Sequence, residues 1–288
     1  MESPYHTGLN IRNFNGIFNW TATYRRDSDI NVPYFRVQRK ETNMTTIAYK
    51  QLVEEILSSK SGSLIAYMNS NCWAKHTKRL SYIRELNNYI PVDTYGGCGK
   101  QRCPRGSMDC TKKLARHKFY LSMENSHCRD YVTEKVAQPL LEWQAVPVVM
   151  GGADPGNYED LLPPGSYIHT SGFGSPKELA EYLLLLDKYP TLYEKYHRWR
   201  QSWEKANNGY MCEYCQKLDE YFLSKKNVRY ERYRFKDANQ QAGETIAQFV
   251  TRLRSIAITC EFPDPDDAIA DQVMDKCRSN ADCCENLI

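Results

Sequence analysis

The stretch MENSHCRDYVTEK places Asn125, Tyr131, Glu134 and Lys135 directly after KFYLSM, a run that reads as a strand. Tyr131, Glu134 and Lys135 stand at i, i+3 and i+4, so on a helix they share one face. A ring, a carboxylate and an ammonium together suit a nucleotide. A carboxylate at a helix start can accept two ribose hydroxyls, and a lysine beside free backbone N–H groups can hold a diphosphate. Two further segments put polar side chains beside strand-like runs: YRRDSD, and MNSNCW with Arg79 after it. In an open α/β sheet the ligand crevice lies at the carboxyl ends of the strands, where such segments fall. The same patterns also fit a solvated helix face for Glu134 and Lys135 and a turn for Asn125. A salt-bridged loop likewise accounts for Arg25, Arg26, Asp27 and Asp29, and spacing alone leaves both readings open.

What must position these side chains is an alternation of helices and strands. YKQLVEEILSS carries Leu52, Val53, Ile56 and Leu57 on one helical stripe, and the apolar run SLIAYM follows it. A basic helix from about Lys75 to Asn87 leads to the strand IPVDTY, a Cys- and Gly-rich loop to Lys113, and the strand KFYLSM. A helix from about Tyr131 leads to VPVVM, and SYIH reads as a last strand. This order predicts an α/β fold with a parallel sheet and helices on its faces. At Ser175 the sequence SPKELAEYLLLLDK offers an N-cap serine, proline at the first helical position and Glu178 in capping-box register. PTLYEKYHRWRQSW is expected to continue as an amphipathic helix. SKKNVRYER reads as a linker, and from Glu244 a helical stripe of Ile246, Phe249, Val250, Leu253, Ile256 and Ala257 predicts the first arm of a helical hairpin, with Ile269, Val273 and Cys277 on the second.

With 288 residues, 41% hydrophobic and 25% charged, the chain is a folded composition of about two domains, which excludes disorder and low complexity. Its longest leucine run, Leu183 to Leu186, is far short of the roughly 18 to 20 apolar residues of a bilayer span. MESPYHTGLNIRN has neither a basic nor an apolar signal region, so no secretory signal is expected. The net charge of +3 hides an asymmetry, since residues 229 to 280 hold eight basic against nine acidic side chains. A mildly basic body suits a small phosphate-bearing ligand better than a nucleic-acid backbone.

FNWTATYRRDSDINVPY, KFYLSMENSHCRDYVTEK and VPVVMGGA resemble the signature blocks of the α1,3-fucosyltransferases, metal-independent inverting enzymes that use GDP-fucose. The likeness runs from Met1 to about Phe222 and covers VDTYGGCG, CPRGSMDC, PPGSYIH and the pair Cys212 and Cys215. It implies the Rossmann-like donor domain of a two-domain GT-B glycosyltransferase over residues 36–223. Residues 1–35 would be a remnant of the acceptor domain and interdomain segment, most of the acceptor domain being missing, and residues 224–288 a small α-helical tail. It further implies that Asn125, Tyr131, Glu134 and Lys135 hold GDP-fucose, with Arg79 on the phosphates and Tyr24, Ser70 and Asn71 lining the cleft. The acceptor would be a GlcNAc hydroxyl of a glycoprotein glycan, no cofactor or metal would be required, and the compartment would be the Golgi.

Inversion needs a base to take the acceptor proton while GDP leaves from the opposite face of an oxocarbenium-like centre. The resemblance gives that role to Glu2 of MESPYHT. Standing second in the chain, Glu2 has little to fix it in place, and a misplacement near 1 Å can cost on the order of a hundredfold, so weak turnover is expected. A second departure is EKVAQPLLEWQAVPVV, where the family has one residue fewer and no proline. Pro139 inside a helix removes a hydrogen bond and costs about 3 kcal/mol unless the helix kinks or ends, which bears on the orientation of Lys135.

Residues 229 to 280 resemble a helical capsid segment of retrotransposon gag polyproteins, so the chain reads as a fusion. Cys277, Cys283 and Cys284 lack zinc-knuckle spacing, and no nucleic-acid site is expected. The tail is either a surface for self-association or a passive appendage; a non-catalytic interaction protein acting through it is the alternative to the transferase. A C-x-x-C at Cys212 and Cys215 fits half a zinc site, a redox pair or a disulfide framework. Golgi chemistry, as the family implies, would allow Cys98, Cys103, Cys110, Cys128, Cys212 and Cys215 to be oxidised, with pairing open. His117, His127 and His197 read as surface or packing residues.

Overall fold

Five strand-like runs form one parallel sheet because the helices between them cover both of its faces. The structure, a computed structural model, describes residues 20–72, 77–104, 106–151, 156–206, 214–220 and 228–279. The chain divides into two compact units, Met1–Met211 and Cys212–Ile288.

In the first unit the elements run β1 (Ala22–Thr23), β2 (Ile30–Asn31), β3 (Val37–Arg39), α1 (Thr46–Ser59), β4 (Ile65–Met68), α2 (Arg79–Leu86), β5 (Val92–Tyr95) and α3 (Met108–Ala115). They continue with β6 (Phe119–Met123), α4 (Glu134–Ala137), a π-helical turn over Gln138–Glu142, β7 (Val146–Met150), α5 (Gly156–Leu161), β8 (Ile168–His169), α6 (Pro176–Lys188), α7 (Pro190–Glu194) and β9 (Trp203–Lys205). The main sheet has the order β5-β4-β6-β7-β8, all parallel. The central strand β6 is buried along its whole length, as a parallel strand covered on both faces must be. On one face Ile65, Phe119, Leu121 and Val148 pack against Ile83, Leu86, Leu179 and Leu183 of the flanking helices. On the other, Ala66 and Tyr120 meet Leu114 and Trp143.

All five predicted strands are present, and α1 covers the predicted stripe. α4 begins at Glu134 rather than Tyr131, because Thr133 caps it. PTLYEKYHRWRQSW does not stay helical: after α7 it tightens into a 3₁₀ segment, Lys195–Gln201, and then extends into β9. The physical cause is tertiary, since β9 pairs antiparallel with β3 and Arg200 reaches across to the Leu140 carbonyl at 2.6 Å. Ser175 does cap α6, accepting the Glu178 N–H, but the Glu178 carboxylate returns to the N–H of Gly174 instead of that of Ser175.

In the second unit, α8 (Val228–Asp237), α9 (Ile246–Ala257) and α10 (Pro265–Ser279) share a core of Phe235, Phe249, Leu253, Cys260 and Ile269. Much of the stretch read as linker is therefore helical, because Phe235 gives α8 a buried anchor. Thr245 and Gln248 complete a reciprocal capping box at the start of α9. Among the described residues no helix is long and apolar enough to cross a membrane.

Two disulfides fasten the loops after β4 and β5, Cys72 to Cys98 and Cys103 to Cys110. Cys72 lies outside the set expected to oxidise, and Cys128, which lies inside it, is a free thiol. Cys215 is also unpaired, and Cys212 lies outside the described residues.

Candidate functional site at the carboxyl edge of the sheet

Arg79 opens α2 and is only 1% exposed. Its guanidinium donates to the Met123 carbonyl at 3.2 Å, to Asn69 Oδ1 at 3.0 Å and to the Asn71 carbonyl at 3.2 Å. One side chain thus joins the carboxyl ends of β4 and β6. Asn69 completes the knot: its amide donates to the Asn71 carbonyl and its Oδ1 accepts the Asn71 N–H. Ser70, between them, is exposed. Only Nε of the Arg79 guanidinium lacks a partner among the described residues.

Beyond Met123 the chain continues into Glu124 and Asn125. Glu124 is fully buried and accepts from Thr133 N and Oγ1, each at 2.9 Å, while Lys135 Nζ lies 3.4 Å away. Burial raises the Glu124 pKa above the ordinary carboxylate value, with Lys135 and Thr133 pulling the other way. Lys135 Nζ also donates to Thr133 Oγ1 and Glu134 Oε1, both at 3.1 Å. For Lys135, burial lowers the pKa, but the two carboxylates outweigh it and leave the ammonium above its ordinary value. For Glu134, partial burial raises the pKa and Lys135 lowers it further, so the net is downward. The Glu134 side chain is 54% exposed, and Asn125 carries a buried Oδ1 that has no partner among the described residues. An exposed carboxylate, a held ammonium and a buried amide oxygen with no described partner therefore all follow closely on the end of one strand.

Tyr131 does not join them at the surface. It is 1% exposed, and its ring meets Tyr24 at 5.1 Å and Tyr34 at 6.1 Å between centroids. Tyr24 is itself buried, which is the main reason its phenol pKa is pushed up to about 12. The neighbouring Asp130 holds a left-handed backbone, φ 60°, and accepts from Arg26 Nε at 3.1 Å. Arg26 also reaches Asp160 at 2.8 Å, and Arg25 pairs with Asp27, so this charged run is a salt-bridged clasp over the Asp130–Tyr131 turn. Thr133 Oγ1 takes the Lys135 N–H, and α4 is too short to offer a row of free amides. Glu2 lies outside the described residues. His117 sits at the opposite, amino edge beside Asp93, and His197 is buried beside Arg200.

Glu124, Asn69, Thr133 and Ser122 belong to this site and carry no signal as separate motifs. A clue exists in the alternation of strand side chains: Ser122 and Glu124 are two apart, so both face the segment 133 to 135. Ser122 Oγ donates to the Lys135 carbonyl at 2.6 Å. Gly151, at φ 143°, packs against Glu124; an added Cβ would stand 3.2 Å from Glu124 Cβ. Among the described residues there is no group of three or more His, Cys, Asp or Glu side chains that could hold a metal ion.

A parallel sheet whose carboxyl edge gathers Arg79, Asn125, Glu134 and Lys135 defines a Rossmann-like α/β unit with its polar groups where such units keep their ligands. The family model for the C-terminal part of glycosyltransferase family 10 (fucosyltransferase) matches residues 57–233, and the fucosyltransferase N-terminal model matches residues 1–35. The chain belongs to glycosyltransferase family 10. It is 44% identical over 221 residues to glycoprotein 3-alpha-L-fucosyltransferase A of Drosophila melanogaster, covering 76% of this chain and 42% of that protein. It is 36% identical over 234 residues to alpha-(1,3)-fucosyltransferase 4 of Homo sapiens, covering 79% of this chain and 42% of that protein. The chain thus spans less than two thirds of the length of these curated relatives. A crystal structure of an alpha1,3-fucosyltransferase with GDP-fucose matches with a TM-score of 0.44 at 21% identity, over 53% of this chain and 43% of that one.

Proposed function

We propose that the first unit binds GDP-fucose at the carboxyl edge of β4 and β6 and serves inverting fucosyl transfer to a GlcNAc hydroxyl of a glycoprotein glycan. The observation that carries this is the Lys135 ammonium, held by buried Glu124 and Thr133 and paired, among the described residues, with one exposed carboxylate, that of Glu134. An arriving diphosphate is a better partner for the ammonium than a half-solvated carboxylate. It takes the place of Glu134 on Lys135, and Glu134 turns to the ribose hydroxyls. Asn125 supplies its unpartnered amide oxygen to the same ligand. Arg79 acts from behind, a buried positive charge that sets the strand ends and strengthens the field on the leaving diphosphate. Ser70 and Asn71 form the lip beyond β4, while Tyr24 and Tyr131 act through packing, holding the turn that leads to Glu134.

Lys135 supplies the positive charge that a metal ion supplies elsewhere, so chelator leaves turnover unchanged. Glu2 is the base, and Glu2→Gln abolishes transfer while sparing donor binding. The working protein resides in the Golgi, as the resemblance implies. Calorimetry of the chain with GDP tests the donor half: binding in the micromolar to millimolar range that UDP does not match, weakened at least tenfold by Lys135→Ala, is the expected result. No heat at millimolar GDP, or equal binding of UDP, rejects it.

Self-association belongs to the second unit, whose sequence resembles a gag capsid segment and which leaves Tyr233, Ile258 and Met274 exposed. Sedimentation of the full chain over a hundredfold range of concentration tests this, and a constant monomer mass rejects it.

A further inference from the structure

Pro139 leaves the carbonyl of Lys135 without its helical partner. In an α-helix the N–H of residue 139 would donate to the carbonyl of residue 135, and proline has no N–H. The helix is regular up to that point, since Gln138 N still donates to the Glu134 carbonyl. Beyond it the chain widens into a π turn, in which Trp143 N donates to the Gln138 carbonyl at 2.9 Å, five residues back. A π turn is the form in which a helix takes up one extra residue, and here it begins three residues after Lys135. The orphaned carbonyl is met by a donor from another element: Ser122 Oγ, wholly buried on β6, at 2.6 Å.

We propose that Ser122 is a positioning residue for Lys135, its hydroxyl standing in for the amide that Pro139 lacks. The bond pins the backbone of Lys135 to β6, while Glu124, the residue just past the end of that strand and two along from Ser122, pins its ammonium. Backbone and side chain of one cation are thus fixed from the last residues of one buried strand and the position that follows it. Ser122 and Pro139 form a compensating pair, because the serine is needed only while residue 139 cannot donate. This role rests on the donor-site reading of Lys135 given above.

The test is GDP calorimetry and thermal melting on the full chain and its Ser122→Ala, Pro139→Ala and doubly substituted forms. Ser122→Ala buries an unsatisfied carbonyl next to the site and is expected to weaken GDP binding by about tenfold. Pro139→Ala alone should change it less than about twofold, since a carbonyl accepts two bonds. The double variant should return to within about threefold of the wild type, because the restored amide at position 139 donates where the serine hydroxyl no longer can. In a Lys135→Ala background, Ser122→Ala should have no further effect on GDP. Unchanged GDP affinity in Ser122→Ala, no rescue in the double variant, or the same loss in the Lys135→Ala background would each overturn the proposal. If Ser122→Ala does not fold, recovery of folding and of GDP binding by adding Pro139→Ala supports it, and recovery of neither overturns it. A wild type that binds no GDP removes the donor reading and the positioning role with it. A melting cycle that still couples Ser122 to Pro139 would show in that case that the bond exists and the donor reading is what failed.

Discussion

Glu124 Oε2 lies 3.4 Å from Lys135 Nζ, with the carboxylate wholly buried and the lysine side chain 25% exposed. The pair is asymmetric, so its two members should fail differently. Removing Lys135 leaves a buried carboxylate with hydrogen bonds but no counter-charge, whereas removing the charge of Glu124 leaves an ammonium that can still reach Glu134.

Lys135→Met should therefore make stability more dependent on pH. Without the ammonium the folded-state pKa of Glu124, already raised by burial, rises further. The folded chain then holds a proton that the unfolded chain releases near the ordinary glutamate value of about 4.3. Stability falls as pH climbs from there through the folded pKa. The melting midpoint of Lys135→Met should drop more than that of the wild type between pH 5 and pH 8; parallel curves would contradict the pairing. Glu124→Gln should remove that slope and cost about 1 to 3 kcal/mol at all pH values.

Gly151→Ala is expected to destabilise the first unit by about 1 to 3 kcal/mol. Its φ of 143° suits glycine, and the new Cβ would press within 3.2 Å of Glu124 Cβ and of Tyr158 Oη. Gly172→Ala, where no atom lies within 4 Å of the added Cβ, is the control and should melt within a degree or two of wild type. Equal melting of the two variants would show that Glu124 is not braced from this side.

Lys60 gives a slope of the opposite sign. Its Nζ donates to the Ala115 and Trp143 carbonyls at 2.7 Å each, and burial, aided by the charge of Arg200, brings its pKa down from 10.5 to about 7. Between those values the unfolded chain keeps a proton that the folded chain has released, so this group makes stability rise with pH. Lys60→Met should flatten the difference in unfolding free energy between pH 7 and pH 10. An unchanged slope would mean that Lys60 stays charged.

The Cys72–Cys98 bridge joins positions 26 apart and ties the lip after β4 to the loop after β5. The Cys98 N–H also donates to the Asn69 carbonyl at 2.9 Å, so the bridge braces the residue that orients Arg79. Cys98→Ser should lower stability by about 3 kcal/mol on loop-closure grounds and weaken GDP binding. Loss of stability with full GDP affinity would separate the bridge from the site.

The strands of the main sheet were legible because each needs only local information: KFYLSM and VPVVM are mainly apolar runs bounded by helical periodicity. A helix after KFYLSM was legible too, although its start, read at about Tyr131, falls at Glu134 behind the cap Thr133. The fate of PTLYEKYHRWRQSW was not legible, since its helical spacing yields to an antiparallel partner, β3, far earlier in the chain. The same holds for α8: polar composition marks a linker until Phe235 finds Phe249 and Phe262 to pack against. The site divides likewise. Lys135 and Glu134 stand out by charge at a helix start. Tyr131, by contrast, turns out to be clasped by Tyr24 and Tyr34, and Arg79 proves to be engaged with strand ends, facts that no spacing encodes.

By itself the sequence determined the five strands of the main sheet in their order along the chain and the family, because backbone periodicity and local capping act over a few residues. Only the tertiary structure decided which side chains are held and by what. The Glu124 carboxylate beside the Lys135 ammonium and the Ser122 hydroxyl on the Lys135 carbonyl are contacts made between the end of β6 and the segment that follows it. Such bonds exist because burial leaves a charge or a carbonyl no water to turn to, and burial is a property of the packed sheet.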